Sequence, residues 1–237
     1  MAESKHILIT GANRGLGYQL TLEAVSRGHM VYAGVRSLAA PSPLLDELER
    51  KYPGQIRKVE LDAADMSSIR RAAEELGNLT PALDCVINNA AVLLEKEKTL
   101  EELDFDQLRM SFEINTFGPM YIIQQLLPLI YKGSDQTIIN ISSEAGTIIN
   151  AFSTNYAYSM SKTALNMFSE RLRHYVKDRG IEVYAVHPGW MKTDMGGEDA
   201  PAEPLDTARG VLNIIDKKVT ITSKIAFINH LGKPMPL

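Results

Sequence analysis

The residues best suited to take part in a chemical reaction are Tyr158 and Lys162. They lie four positions apart in a segment, 156–168, that contains no glycine or proline. In a helix, at ~1.5 Å rise per residue, this spacing puts the two side chains one turn apart on the same face. A free phenol has a pKa of about 10, and a positive charge fixed beside it favours the phenolate. The pair therefore predicts a general acid/base that moves protons near neutral pH. The alternative is an exposed tyrosine and lysine that share a helix face by chance.

Two serines, Ser142 and Ser143, follow the apolar segment that precedes this helix. Residues 136–142 have the β-branched, apolar composition of a strand. A serine hydroxyl at such a strand end could steady a substrate carbonyl oxygen as negative charge develops on it. We therefore expect one of the two serines to face the substrate.

A proline interrupts the long helix predicted for residues 105–130. Pro119 has no N–H to donate to the carbonyl of Asn115, and its ring clashes with that carbonyl. We expect a kink at Asn115, whose released carbonyl could hold a water on a proton path toward Lys162. A kink with a purely structural role is the alternative.

Three glycines near the N-terminus lie between a predicted strand, 6–10, and a predicted helix, 18–27. Gly11 permits a tight turn, Gly15 lets the backbone approach a pyrophosphate, and Gly17 allows close packing of helix on strand. Free N–H groups at the helix start then meet the phosphates. A structural turn without a ligand is the alternative. The flanking elements favour dinucleotide binding by the turn, whose residues are Gly11, Asn13, Arg14, Gly15, Leu16 and Gly17.

The second predicted strand, 30–35, is followed by Arg36, and no acidic residue lies at this strand end. An acid here would bind a ribose 2′-hydroxyl and repel a 2′-phosphate, whereas an arginine binds the phosphate through two parallel hydrogen bonds. Arg14 can add a second positive charge. We therefore predict NADP(H) as the preferred cofactor, with NAD(H) as a second option. An Arg36 solvated in a loop is the alternative.

Small and polar residues follow the next two predicted strands, 56–61 and 83–87. Asp62 could accept a hydrogen bond from an adenine amino group; capping of the next helix by Asp62 or Asp65 is the alternative. Small residues after the fourth strand let a ribose lie against the strand end, while the amides of Asn88 and Asn89 satisfy exposed backbone around it. Asparagines that form a turn without a ligand are the alternative. The residues expected to touch the cofactor here are Asp62, Ala63, Asn89 and Ala90.

A further ligand motif follows the sixth predicted strand, 181–186. Pro188 and Gly189 can pass under a nicotinamide ring, and Thr193 can bond its carboxamide. His187 is a candidate for metal binding or catalysis, but no second ligand clusters with it in the sequence. A structural role is therefore favoured for His187, and no metal site is predicted.

The remaining sequence supplies the elements that must position these side chains. Apolar segments alternate with segments of helical periodicity, and glycine or proline separates them. The continuous apolar character of 83–87 is typical of a parallel strand covered on both faces. A polar segment at about 194–205, rich in glycine and proline, predicts a mobile lid. The other predicted elements are helices at 44–51, 66–78, 156–179 and 205–216 and a last strand at 223–228.

Length and composition limit the classes of function. The chain has 237 residues, 45% hydrophobic and 23% charged, which favours one α/β domain over residues 1–237. A net charge of −4 without a basic block argues against nucleic acid, and no apolar run approaches the ~20 residues of a membrane span. The single cysteine, Cys85, cannot form an internal disulfide and suits a reducing compartment. We expect a cytoplasmic protein with a small-molecule partner and neither a nucleic-acid nor a membrane partner.

Together these motifs resemble the short-chain dehydrogenase/reductase family, in order and across nearly the whole chain. Within that family, the stretches 157–166 and 187–197 are similar to compact carbonyl reductases of the sniffer and C-factor type. One departure is Ala91, where the family usually has glycine. The residues that carry the resemblance are Thr10-Gly11-x3-Gly15-x-Gly17, Asn88-Asn89-Ala90, Asn115, Ser143, Tyr158-x3-Lys162 and Pro188-Gly189 with Thr193.

The resemblance implies a single Rossmann-fold domain with a seven-stranded parallel sheet and helices on both faces. It implies Tyr158 as general acid/base, with Lys162 lowering its pKa and holding the nicotinamide ribose. It also implies Asn115 as the anchor of a relay water and Ser143 as the residue that positions the carbonyl. Ser143 is preferred to Ser142 because it directly precedes 144–146, the usual context of the active serine in this family.

The implied activity is NADPH-dependent hydride transfer to an aldehyde or ketone, or the reverse oxidation of an alcohol. The alternative from another class is a dinucleotide-binding sensor with little or no turnover, although a pure binder has no need of an acid/base tyrosine. Family members commonly form homodimers or homotetramers through their two long helices, here 105–130 and 156–179.

Overall fold

Alternating aliphatic side chains build the strands of one central sheet. In the computed structural model, which describes residues 4–237, Ile7 and Ile9 pack into the core on one face of the sheet and Leu8 packs into the core on the other. Apolar side chains on both faces are typical of a parallel sheet covered on both sides. The strands are β1 (His6–Thr10), β2 (Met30–Val35), β3 (Ile56–Glu60), β4 (Cys85–Asn88), β5 (Thr137–Ile141), β6 (Glu182–His187) and β7 (Phe227–Asn229).

The seven strands are all parallel and lie in the order β3-β2-β1-β4-β5-β6-β7. The direction in which the chain adds strands reverses between β1 and β4, which pair with Ile7 opposite Cys85. At such a reversal the loops that follow the two strands diverge to opposite faces, and a crevice opens at their carboxyl ends. The predicted fold class, a Rossmann domain with a seven-stranded parallel sheet, is confirmed.

Two layers of helices cover the sheet. Leu20 and Val211 are fully buried in one layer, and Leu76 and Ile122 are fully or almost fully buried in the other. No helix within residues 4–237 is both long and apolar enough to cross a membrane. The first layer contains α1 (Gly15–Ser26), α2 (Pro43–Lys51) and α7 (Pro204–Ile215); the second contains α3 (Met66–Leu79), α4 (Phe105–Phe112), α5 (Gly118–Ile130) and α6 (Tyr156–Tyr175).

The helix predicted at 105–130 is irregular in its middle. A π-helical turn, Glu113–Phe117, joins α4 to α5, and the N–H of Gly118 donates to the carbonyl five residues earlier. Pro119 lies in the first turn of α5, where the missing N–H is tolerated. The kink predicted at Asn115 therefore takes the form of a π-helical turn, which in proteins is frequent at functional sites.

Two predicted boundaries differ from the structure by four residues, and the others differ by three or fewer. The last strand begins at Phe227 instead of Ser223, because the Ser223 hydroxyl bonds the backbone N–H and C=O of Ile225 and forms a turn there. Helix α6 ends at Tyr175, and the chain continues into a short 3₁₀ turn, Lys177–Arg179. Neither difference touches the carboxyl edge of the sheet.

Candidate active site

Helix α6 brings Tyr158 and Lys162 to the end of β5. The Lys162 side chain is only 2% exposed, and its Nζ donates a 2.8 Å hydrogen bond to the carbonyl of Ile141, the last residue of β5. The same Nζ lies 5.6 Å from the centroid of the Tyr158 ring. The structure therefore places the predicted pair together, one helical turn apart, at the carboxyl edge of the sheet.

Burial shifts the pKa values of both members of this pair. Burial raises the pKa of Tyr158 above its usual value, and a hydrogen bond with Ser143 lowers it in part. Burial also lowers the pKa of Lys162 to about 7, because the ammonium loses its hydration. In the protein chain alone, burial therefore has the larger effect on the pKa of Tyr158. The role of Lys162 in lowering that pKa stays a prediction.

The two serines after β5 have different surroundings. Ser142 is buried, and its hydroxyl donates to Oδ1 of Asn166 at 2.5 Å. Ser143 lines the cleft described below, and its hydroxyl hydrogen-bonds Tyr158. Its Oγ also accepts from the N–H of Ala145 at 3.1 Å and caps a short 3₁₀ turn. Of the two, Ser143 is the one beside the tyrosine.

Asn115 lies inside the π-helical turn and is fully buried. Its Oδ1 accepts from the N–H of Val92 at 2.9 Å, and its Nδ2 donates to the Val92 carbonyl at 2.9 Å and to Ser161 Oγ at 3.0 Å. Ser161 in turn donates to the carbonyl of Tyr158 at 2.8 Å. Asn115 therefore joins the loop after β4 to helix α6, although its side chain does not line the cleft.

The glycine turn is held to the end of β4 by two polar side chains. Thr10 Oγ1 accepts from the N–H groups of Asn89 and Ala90 at 2.9 and 3.0 Å. Asn89 Nδ2 donates to the carbonyls of Thr10 and Gly11 at 2.9 and 3.3 Å. These bonds fix the turn from which α1 starts at Gly15, three residues earlier than predicted.

Gly17 is the glycine in this turn with the least space. A Cβ at position 17 would lie 2.0 Å from the carbonyl oxygen of Gly11 and 2.7 Å from Asn89 Nδ2. We expect Gly17→Ala to destabilise the protein by about 2 kcal/mol or more, because backbone must move to admit the methyl group. It should also weaken dinucleotide binding several-fold. Urea unfolding and cofactor titration measure the two effects.

Gly77, inside α3, is the matched control for this substitution. It has no heavy atom within 4 Å of an added Cβ. Gly77→Ala should be neutral or stabilising by up to about 1 kcal/mol, because alanine has the higher helix propensity. Equal stability of the two variants would contradict the assignment of Gly17 to close packing.

A cleft of about 700 Å³ runs along the carboxyl edge of the sheet, past the reversal between β1 and β4. Its size and position fit an extended dinucleotide, and the glycines of the turn supply the flat backbone that a pyrophosphate needs. Every residue predicted to touch the cofactor lines this cleft: Gly11, Asn13, Arg14, Gly15, Leu16, Gly17, Arg36, Asp62, Ala63, Asn89, Ala90, Tyr158, Lys162, Pro188, Gly189 and Thr193. Their individual roles remain predictions.

The two arginines predicted to bind a 2′-phosphate differ in their contacts. Arg14 Nη1 lies 2.5 Å from Oδ2 of Asp194, and both side chains are largely exposed. Arg36 is exposed at the end of β2 and forms no ion pair within residues 4–237. A phosphate at Arg14 would therefore compete with Asp194, whereas Arg36 can bind a phosphate without losing a carboxylate partner.

Asp62 and Asp65 accept different hydrogen bonds and have different roles. Asp65 Oδ1 accepts from the N–H of Ser67 and caps α3. Asp62 Oδ1 accepts from the N–H of Ala64 at 3.0 Å, in the loop before that helix. The capping alternative therefore applies to Asp65, and Asp62 is left at the cleft wall.

The segment predicted as a lid has internal hydrogen bonds. Trp190 Nε1 donates to the carbonyl of Gly196 at 2.7 Å, and Thr193 accepts from the N–H groups of Gly196 and Gly197. A single bridge joins Met191 to Ala202. The predicted mobility of this segment is untested by these contacts.

Several polar residues of the site had no role of their own assigned from the sequence. Ser161 and Asn166 hold α6 against the π-helical turn and Ser142, and Thr10 fixes the glycine turn. The available signal was position, since Ser161 and Asn166 lie three and eight residues after Tyr158 on the same helix. Within residues 4–237, no group of three His, Cys, Asp or Glu side chains is arranged to hold a metal ion.

Comparison with known families settles the classification. The family described as short chain dehydrogenase matches residues 5–204, most of the chain. The chain belongs to the short-chain dehydrogenase family. Membership of this family makes it an NAD(P)-dependent oxidoreductase.

Two solved structures and one protein sequence illustrate what this short-chain dehydrogenase is similar to. The NADPH-bound carbonyl reductase from chicken fatty liver superposes with a TM-score of 0.90 at 28% identity, over 99% of this chain and 100% of that one. The carbonyl reductase Sniffer of D. melanogaster superposes with a TM-score of 0.91 at 26% identity, over the same shares of the two chains. The C-signal protein of Myxococcus xanthus is 35% identical over 138 residues, which are 58% of this chain and 82% of that protein. The predicted family and its likeness to carbonyl reductases are confirmed.

Proposed function

We propose that this short-chain dehydrogenase is an NADPH-dependent carbonyl reductase that acts on aldehydes or ketones and catalyses the reverse alcohol oxidation. The observation that carries the proposal is the position of Tyr158, Lys162 and Ser143 on one wall of a cleft whose other residues suit a dinucleotide. The bound nicotinamide supplies the hydride. All other chemistry is assigned to side chains of this chain.

Tyr158 is assigned as the group that gives its proton to the carbonyl oxygen. Its raised pKa keeps the phenol protonated at neutral pH, which is the form that an acid must have in the reductive direction. The Ser143 hydroxyl can donate a hydrogen bond to the same oxygen as negative charge develops there. The Lys162 ammonium lies one turn away and stabilises the phenolate that remains after transfer.

The substrate end of the cleft has apolar walls. Leu93, Phe152, Trp190 and Met195 line it, and the last three are exposed in part. Apolar walls with a few polar groups at the reacting atoms are typical of sites for small organic molecules. We therefore assign the substrate to apolar carbonyl compounds.

The choice of NADPH over NADH depends on Arg36. We expect Arg36→Ala to weaken NADPH binding at least about tenfold, because a charge-assisted bond to the 2′-phosphate is lost. NADH binding should change less than about twofold, since NADH lacks that phosphate. Arg50→Ala, which removes an exposed arginine on α2 away from the cleft, is the control for charge alone. Equal losses of affinity for NADPH and NADH would show that Arg36 does not bind the 2′-phosphate.

The test of the proposed function is a cofactor titration followed by turnover. Trp190 is the only tryptophan and lines the cleft, so its fluorescence reports NADPH and NADH binding directly. Consumption of NADPH is then measured with a panel of aldehydes, ketones and quinones. Turnover supports the reductase. Tight binding without turnover would favour a dinucleotide sensor, and absence of binding would contradict both.

Assembly and location belong to the same proposal. Large apolar side chains on α4, α5, α6 and the turn between α4 and α5 are exposed, which supports a homodimer or homotetramer through these helices. A cytoplasmic location is supported by the single, buried Cys85, whose pKa is raised by burial. The exposed side chains are Phe105, Met110, Phe117, Met120, Met160 and Met167.

A further inference from the structure

His187, the last residue of β6, contacts the turn that carries Ser143. Its Nδ1 accepts a 3.1 Å hydrogen bond from the backbone N–H of Glu144. Its Nε2 lies 3.9 Å from Oε2 of the same residue, and the histidine side chain is 14% exposed. One imidazole thus meets both the backbone and the side chain of the residue that follows Ser143.

The contact determines the tautomer of the ring. Because Nδ1 accepts from an N–H, it cannot carry a proton, so the proton of the neutral ring is on Nε2. The Nε2 that carries this proton lies 3.9 Å from the Glu144 carboxylate. His187 therefore acts on the turn as a hydrogen-bond acceptor, which a protonated ring cannot be.

The serine turn, defined as residues 143–146, depends on this acceptor. Its first N–H groups have no partners within the short 3₁₀ helix Glu144–Gly146. Ser143 Oγ accepts from the N–H of Ala145, and His187 Nδ1 accepts from the N–H of Glu144. The second of these caps comes from the neighbouring strand and joins the ends of β5 and β6.

We propose that His187 is a positioning residue that holds the serine turn so that the Ser143 hydroxyl points at Tyr158 and at the substrate oxygen. The inference rests on the proposed reductase function for its kinetic consequence, and on the hydrogen bond alone for its structural one. Loss of the acceptor frees the Glu144 N–H, and the turn can rotate about Ser143. Since a displacement of about 1 Å in a reacting group can cost up to about 10²-fold in rate, a loosened Ser143 lowers turnover.

Burial keeps His187 neutral at pH 7. Burial lowers its pKa, Glu144 raises it in part, and His230, whose backbone N–H donates to the His187 carbonyl at 3.1 Å, lowers it further. Burial also lowers the pKa of His230, and Asp206 on α7 offsets part of that lowering. The acceptor is therefore present at neutral pH and is lost as the pH falls through the lowered pKa of His187.

Two substitutions separate the acceptor from the bulk of the ring. His187→Asn puts an amide oxygen near the position of Nδ1, whereas His187→Leu fills similar space without an acceptor. We expect His187→Leu to lower kcat about tenfold with little change in the KM for NADPH. His187→Asn should restore most of that loss and should lack the acid limb that we expect for wild type, because an amide does not titrate. Asparagine as inactive as leucine in a folded protein would overturn the proposal.

A double mutant tests whether His187 acts through Ser143. In a Ser143→Ala background, His187→Leu should cost less than about a further twofold, because the hydroxyl that it positions is already absent. A full tenfold loss in that background would assign His187 a general structural role and would contradict the proposal.

Amide hydrogen exchange provides a readout that needs no substrate. Exchange at the Glu144 N–H, followed in peptides covering 142–150, should be about tenfold faster in His187→Leu than in wild type and near wild type in His187→Asn. Unchanged exchange in His187→Leu would overturn the inference. If wild type binds NADPH but reduces nothing, the proposed function fails, and the exchange comparison still decides the role of His187.

Discussion

Tyr158→Phe is expected to lower kcat about 10³-fold with every carbonyl substrate that the wild type accepts. The substitution removes the one hydroxyl whose proton the proposed reaction transfers, and it leaves the ring in place over Lys162. NADPH affinity should stay within about twofold, because the phenol is not assigned to phosphate or adenine binding. Single-turnover absorbance of NADPH separates the chemical step from product release.

Tyr175→Phe is the matched control on the same helix. Tyr175 is the last residue of α6 and is largely exposed, so its hydroxyl should contribute nothing to turnover. Full activity of Tyr158→Phe would show that another group supplies the proton. Equal losses in both variants would point to damage of α6 and not to acid catalysis.

Lys162→Met is the second substitution with a large expected effect, and it should act in opposite directions on rate and stability. Turnover should fall at least about 10²-fold, because no ammonium stabilises the phenolate of Tyr158. The cofactor-free protein should become more stable at pH 7, because methionine fills the space of the buried chain without the cost of burying a charge. Lys162 thus lowers the stability of the cofactor-free protein and raises the rate of the proposed reaction.

The pH dependence of unfolding tests whether burial lowers the pKa of Lys162. The pKa of Lys162 is about 7 when folded and about 10.5 when unfolded, so between these values the unfolded state binds more protons. Stability from this group therefore rises with pH, by about 2 kcal/mol between pH 7 and 9. As the pH approaches 9 the raised pKa of Cys85, and at higher pH that of Tyr158, act in the opposite direction in both wild type and Lys162→Met, so the difference between the two proteins reports Lys162.

Urea unfolding at pH 7, 8 and 9 compares the free energy of unfolding of wild type with that of Lys162→Met. Wild type should gain stability relative to Lys162→Met across this range, and the variant should lack the rise. Parallel pH profiles for the two proteins would mean that Lys162 keeps its proton in the folded state.

Local chemistry explains what could be predicted from the sequence. The glycine turn at 11–17 and the Tyr158 to Lys162 spacing depend on a few consecutive residues, so the chain alone indicates their structure. Both features are set by neighbours in sequence. The seven-stranded parallel sheet was implied by the resemblance to the family, and the order of its strands was not predicted.

The features that escaped prediction depend on residues far apart in the chain. The pKa of Tyr158 is raised because distant elements bury it, and burial is not visible in a helix pattern. The ion pair of Arg14 with Asp194 spans 180 positions, and the bond from Glu144 to His187 spans 43. The sequence does not indicate the second bond, because His187 accepts it from a backbone N–H, which no residue type marks.

The bonds of Asn115 have a consequence for how its mutants should be interpreted. Both of its amide hydrogens and its oxygen are committed to Val92 and Ser161, so the side chain offers no donor to a solvent molecule. A relay water at this position can be held by the main chain of the widened turn or can donate to the second lone pair of Asn115 Oδ1. Asn115→Ala would also remove a brace between three segments, so part of any loss of activity would come from movement of the backbone.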